Sequence, residues 1–181
     1  SDWWVTQGQL SLARERLEGI TVGLGQDPSV GALRLRLGQI HLREYLARRG
    51  TNQVGPVTAE STTLLARAVA ELEKAASLNP PSEVQGSLAL TLAWCRWEEA
   101  LATNSKAIMA QALKGFETAL SLLPVGSSDR LVARYKASDA AAWLGDASVA
   151  LKGYLEVAES VAEVPAERDA WMPTALEQAV V

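Results

Sequence analysis

One short pattern, written four times, constrains this chain more than anything else in it. An alanine is followed four positions later by a large residue, and three positions after that by a small or aliphatic one. The instances are Ala13-Leu17-Ile20, Ala68-Leu72-Ala75, Ala112-Phe116-Ala119 and Ala150-Tyr154-Val157. Steps of four and three keep all three residues on one side of a helix with about 3.6 residues per turn. Close-packed helix pairs need this chemistry: the alanine lets a neighbouring backbone approach, and the large residue fills the space beside it. In two instances a proline follows five residues later, at Pro80 and Pro124, where it stops the helix.

The flanking residues extend the same periodicity. Leu64, Leu65, Val69 and Ala76 widen the stripe around Ala68; Met109, Leu113, Leu120 and Leu123 do so around Ala112; Leu151, Ala158 and Val161 do so around Ala150. No stretch alternates with period two, so no sheet is expected. Helix breaks are expected between Gly25 and Pro28 with Ser29 as a cap, and from Gly50 to Pro56, with polar residues extending that loop to about Ser61. Further breaks fall at Asn79-Pro80-Pro81-Ser82, Asn104-Ser105, Pro124 to Asp129, Gly145-Asp146 and Val164-Pro165-Ala166. With a turn at Gly8, nine helical segments result, and their short connections make sequential helices antiparallel neighbours.

Composition narrows the field of functions. The 181 residues suffice for one domain with a real core, and 48% hydrophobic with 21% charged residues argues against disorder. A formal net charge of -4 gives no generic attraction to nucleic acid or an anionic membrane. Cys95 is the only cysteine, so it has no disulfide partner within the chain and no second thiol for a metal site. No apolar run is long enough to span a bilayer. The chain begins at Ser1 without a methionine. A cytoplasmic location is slightly favoured, with a periplasmic or membrane-anchored one expected if an upstream segment is removed.

The repeated pattern resembles the second helix of the tetratricopeptide repeat family, whose unit is a pair of antiparallel helices ending in proline. Ala68, Leu72, Ala75 and Pro80, and then Ala112, Phe116, Ala119 and Pro124, match it. In the first-helix signature Leu37-Gly38 stands where the family has Leu-Gly, His41 takes the place of its tyrosine, and Gly8 and Gly145 fit the turn within a pair. The resemblance covers nearly the whole chain, but every interval between corresponding alanines exceeds the family period of about 34 residues. It implies an all-α solenoid of antiparallel helix pairs with about four repeats in a single domain; a different α-solenoid or a plain helical bundle would also give this pattern. Residues 1–28 form a partial first repeat, 29–80 a second with a loop at 50–61, 82–124 a third, 128–165 a fourth, and 166–181 a terminal helix.

The resemblance also implies where function sits: on a concave face lined by the first helix of each pair, which binds a partner peptide or helix. Alignment on Leu37-Gly38 puts Gln39 and Arg43 there with Leu35 and Leu42. The next unit offers Trp94 and Trp97 with Leu90 and Glu98, and the last offers Tyr135 and Trp143 with Asp139 and Ala142. The expected contacts are therefore Gln39, Arg43, Trp94, Trp97, Tyr135 and Trp143. Indoles three positions apart form an apolar ledge suited to anchoring a partner, although core packing is the favoured reading of the pair. Arg34, Arg36, Arg43, Arg48 and Arg49 are local but point around the helix, so a solvated face is favoured over an anion clamp or an RNA site. Trp3-Trp4 is expected to belong to a first helix cut short before Ser1 and to pack against Leu12 or Leu17, with a place at a membrane interface as the alternative.

Catalytic motifs are missing. His41 is the only histidine, with no nucleophile elbow, no metal-ligand spacing and no Gly-rich phosphate loop in the chain. No catalytic residue, metal or cofactor is expected. The expected partner is a protein or peptide, not nucleic acid. Self-association into a homo-oligomer is the alternative, and an all-α enzyme or ligand carrier is the further one.

Overall fold

The computed structural model describes residues 10–24, 29–49 and 59–162. Among them every regular element is an α-helix: α1 (Leu10–Leu24), α2 (Ser29–Arg49), α3 (Ala59–Ser77), α4 (Ser82–Thr103), α5 (Lys106–Leu122), α6 (Ser128–Leu144) and α7 (Ala147–Ala162). The expected all-α class therefore holds. The helical segment around Trp3-Trp4, the one over 166–181, and the break at Val164-Pro165-Ala166 lie outside the described residues.

Local chemistry explains where the helices stop. α6 ends on Gly145 at φ 94, the left-handed region, and the Gly145 N–H reaches the carbonyls of Ala141 and Ala142. Asp146 then accepts from the Val149 N–H at 3.2 Å and opens α7. Asn79 and Asn104, both at φ 51, end α3 and α4 in the same conformation. Ser105 caps α5 by accepting from the Ile108 N–H.

Two helices start earlier than expected. α3 starts at Ala59, so the polar run through Ser61 lies in its first turn; there Thr63 bonds back to the Ala59 carbonyl at 2.8 Å and Ser61 is buried. The loop after Pro124 closes by Ser127, whose hydroxyl accepts from the Arg130 N–H, and α6 starts at Ser128. The Arg130 guanidinium donates to the Leu120 carbonyl and, at 2.8 Å, to that of Leu123. It thereby satisfies the open C-terminal end of α5.

The chain divides into two compact units, Ser1–Cys95 and Arg96–Val181, with the division inside α4. In the first unit α2 and α3 run antiparallel at short range. A Cβ on Gly31 would meet Pro80 at 3.1 Å, and one on Gly38 would lie 2.6 Å from Leu72 Cγ and 3.3 Å from the Ala68 carbonyl oxygen. Leu35, Leu42, Tyr45, Leu64, Leu65 and Leu72 form the core, and Leu88 and Cys95 of α4 join it. α1 packs on α2 through Ala13, Leu17, Leu37 and Ile40. Arg14 grips Glu44 with two bonds of 2.8 and 3.0 Å.

In the second unit Met109, Ala112, Phe116 and Ala119 bury one face of α5. α6 and α7 are antiparallel neighbours: Leu131 packs with Val157 and Ala158, and Ala141 with Ala150 and Tyr154. Arg134 pairs with Glu156 at 2.5 Å. A Cβ on Gly153 would lie 2.0 Å from Ser138 Oγ.

The repeated pattern is buried almost throughout. Ala13, Ala68, Ala112 and Ala150 are all 3% exposed or less. The exception is Ile20, the third residue of the first instance, which is 47% exposed. Its neighbour Thr21 is buried instead, with its hydroxyl returned to the Glu18 carbonyl at 3.0 Å. α1 therefore turns its polar Thr21 inward where the other three helices place Ala75, Ala119 and Val157.

Candidate functional site

The six expected contacts fall into two sets, three in each unit. In the first unit Gln39 is half-buried on α2. Its amide N–H donates to Thr91 Oγ1 of α4 at 3.4 Å, and its Oε1 accepts from Arg36 at 3.0 Å. These bonds fix the amide in place. Arg43, one turn further along, is exposed. Trp94 is half-buried and packs against the core formed by Leu35, Leu42, Tyr45 and Leu64. The five arginines of α2 do not converge: Arg34 bonds Glu71, Arg36 bonds Gln39, Arg48 pairs with Glu60 and Arg49 reaches Tyr45 Oη. They are distributed among neighbours around the helix, as their angular spacing requires.

In the second unit two of the three residues meet around one cation. Trp97 is only 6% exposed, and Lys136 Nζ sits 3.8 Å from its ring centroid. The same ammonium lies 5.9 Å from the Tyr135 ring and 3.4 Å from Asp139 Oδ2. Asp139 Oδ1 accepts from the Tyr154 hydroxyl at 2.8 Å, and the Tyr135 and Tyr154 rings are tilted by 55° with centroids 5.7 Å apart. One carboxylate thus positions a phenol and an ammonium, and the ammonium is held over an indole. A cation on a partly desolvated aromatic face is worth up to about 2 kcal/mol. Trp143 is half-buried in the last turn of α6, before the Gly145 turn.

Burial sets the protonation states here. It raises the Asp139 carboxyl above its ordinary value, against the opposing pull of Lys136 and the Tyr154 hydrogen bond. The Tyr135 phenol is pushed up to about 12 by burial and then by Asp139. Tyr154 moves in the same direction, chiefly by burial and by its bond to Asp139. Both phenols therefore stay neutral hydrogen-bond donors across the working pH range.

Lys136 escaped the sequence reading, although Lys136 and Asp139 stand at i and i+3, a spacing that brings side chains together on a helix. Among the described residues no group of three or more His, Cys, Asp or Glu side chains is placed to hold a metal ion. No helix among them is long and apolar enough to cross a membrane. A scan against protein-family models and a search of curated proteins found no match for this chain.

Proposed function

We propose that the chain is a scaffold of stacked antiparallel helix pairs, of the tetratricopeptide kind, that holds a partner protein's helix or peptide. The observation that carries this reading is the recurrence of one packing device: α2 with α3, and α6 with α7, each cross where a small residue admits the opposite helix. Pairs built this way leave the far side of each first helix for a partner. Gln39, Arg43 and Trp94 supply that side in the first unit, and Trp97, Tyr135 and Trp143 in the second. Tyr135 and Trp143 bring aromatic area at low entropic cost, and Arg43 brings an exposed cation to orient an acidic group.

Capture of partners by the whole protein tests the reading. Arg43→Ala, Tyr135→Ala and Trp143→Ala together should abolish capture while the helical circular dichroism signal persists. Equal capture by this variant and the parent chain refutes it. Trp97 is a poorer probe, because so buried an indole reports stability first.

A second reading, association with another copy of the chain, is favoured by apolar side chains exposed on the first and last described helices. These are Ile20, Val22 and Leu24 on α1 and Val149, Leu151 and Leu155 on α7. Light scattering over a range of concentrations decides it, because a strict monomer removes this option.

A further inference from the structure

The first unit carries a cleft on the side of α2 away from Gln39 and Arg43. Arg34, Leu37 and His41 lie roughly 150° around the helix axis from Leu35, Gln39, Leu42 and Arg43. α1 closes one rim with Glu18 and Thr21, and α3 closes the other with Arg67, Glu71 and Lys74. The cleft is open to solvent and has a volume of about 540 Å³. That falls within the range of roughly 300–1,000 Å³ occupied by small-molecule sites.

The charges lining the cleft are unevenly committed. Glu71 is saturated: Oε2 accepts from Arg34 at 2.6 Å and Oε1 from Lys74 at 2.8 Å. Burial pushes the Glu71 carboxyl up, but the bonds from Lys74 and Arg34 outweigh it and hold the group ionised. A guanidinium has five N–H donors and an ammonium three, so Arg34 and Lys74 each keep donors that Glu71 does not use. Across the cleft Glu18 lies 3.8 Å from Arg14. Arg67 is exposed and bonds to no acid among the described residues. His41 forms part of the wall at 2% exposure, and its Nδ1 has no hydrogen-bond partner, the nearest acid oxygen being Glu44 Oε2 at 3.7 Å. A buried polar atom without a partner costs free energy unless something is gained from it.

The geometry points to this cleft as a binding site for an oxyanion borne by a small ligand, a phosphate ester or a carboxylate. Arg67 is the principal donor, Arg34 and Lys74 add their spare donors, and His41 responds to the bound charge. Four charged groups face His41: Glu44 from its own helix, Arg14 and Glu18 from α1, and Arg67 from α3. Burial lowers the His41 pKa from its ordinary value, and Arg14 and Arg67 act in the same direction against Glu44 and Glu18. An anion on Arg67 offsets that cation and favours imidazolium, so binding takes up a proton and tightens as pH falls below neutrality.

The chain has one histidine, so its ring resonances read the cleft without ambiguity. The whole protein is titrated by NMR with inorganic phosphate and, separately, with acetate, at constant ionic strength against chloride. The expected result is a saturable shift of the His41 ring signals with a rise in its titration midpoint. Arg67→Ala should bind on the order of tenfold more weakly, with an unchanged circular dichroism spectrum. Lys114→Ala, an exposed cation on α5, should bind as the parent does. Tighter binding of phosphate assigns phosphate esters, and tighter binding of acetate assigns carboxylates. A linear, non-saturating response, the same response to chloride, or undiminished binding by Arg67→Ala overturns the site. Partner capture by the opposite side does not depend on the outcome.

Discussion

The two units reach the same close helix crossing from opposite directions. In the first, the missing side chain is on the leading helix: Gly38 of α2 receives Leu72 of α3. In the second it is on the trailing helix: Gly153 of α7 receives Ser138 of α6. A short interaxial distance needs one partner without a Cβ at the contact, and it does not matter which helix provides it. The other half of each contact differs too. Leu72 is a fully buried aliphatic side chain, whereas Ser138 presents a hydroxyl bonded to its own helix at the Arg134 carbonyl. The first crossing is fixed by bulk, and the second rests on a small group that can rotate.

The largest test removes the bulk from each unit. Leu72→Ala should cost about 2–5 kcal/mol and Phe116→Ala about 3–5 kcal/mol, read as a shift in the urea midpoint at constant slope. A loss below 1 kcal/mol at either would mean that the repeated large residue is not what holds that unit together. The crossings themselves come next. Gly38→Ala should lose about 1–3 kcal/mol to overpacking against Leu72, partly offset by a gain of about 1 kcal/mol in helix propensity. Gly153→Ala should cost less, because the Ser138 hydroxyl can turn away, and adding Ser138→Gly should recover most of the loss. If that double variant is no more stable than Gly153→Ala alone, the two crossings do not differ as described.

Tyr154→Phe leaves the Asp139 carboxylate without its phenol and should cost about 1–2 kcal/mol. The smallest effect is one of sign. His41 has its pKa lowered from 6.5 by burial. The unfolded chain therefore takes up that proton first, and the stability contributed by neutral His41 is lost as pH falls through about 6.5. Asp139 has its pKa raised from 3.8, again chiefly by burial. The folded chain holds that proton longer, so its contribution is full below about 3.8 and declines as pH rises above that value. His41→Gln should flatten the loss on mild acidification, and Asp139→Asn should flatten the opposite slope at lower pH, both in chemical unfolding at stepped pH.

Much of the fold was legible because helix ends are written locally. Gly145-Asp146, Asn104-Ser105 and Asn79-Pro80 each carry their own capping chemistry, and each turn appears where its residues place it. The polar run at Glu60 and Ser61 misled because serine and threonine suit both a loop and a first helical turn, and only their partners decide. The candidate contacts were less legible. An indole satisfies a core and a binding face equally well, so periodicity placed Trp97 on a face without giving its 6% exposure. Lys136 went unnoticed because its role depends on the Trp97 ring, which no local pattern reveals. Ile20 fits the repeat in sequence and departs from it in space because Thr21 bonds its hydroxyl to the helix and takes the inward place.

The links Asn104-Ser105 and Gly145-Asp146 leave no slack between successive helices. One residue added within α6 would rotate α7 by about 100°, carrying its alanine stripe out of the seam. Growth or loss along this chain is thus quantised, tolerated in steps near whole helical turns and punished in between. Any relative that keeps these links should differ in helix length by about three, four or seven residues, and seldom by one or two.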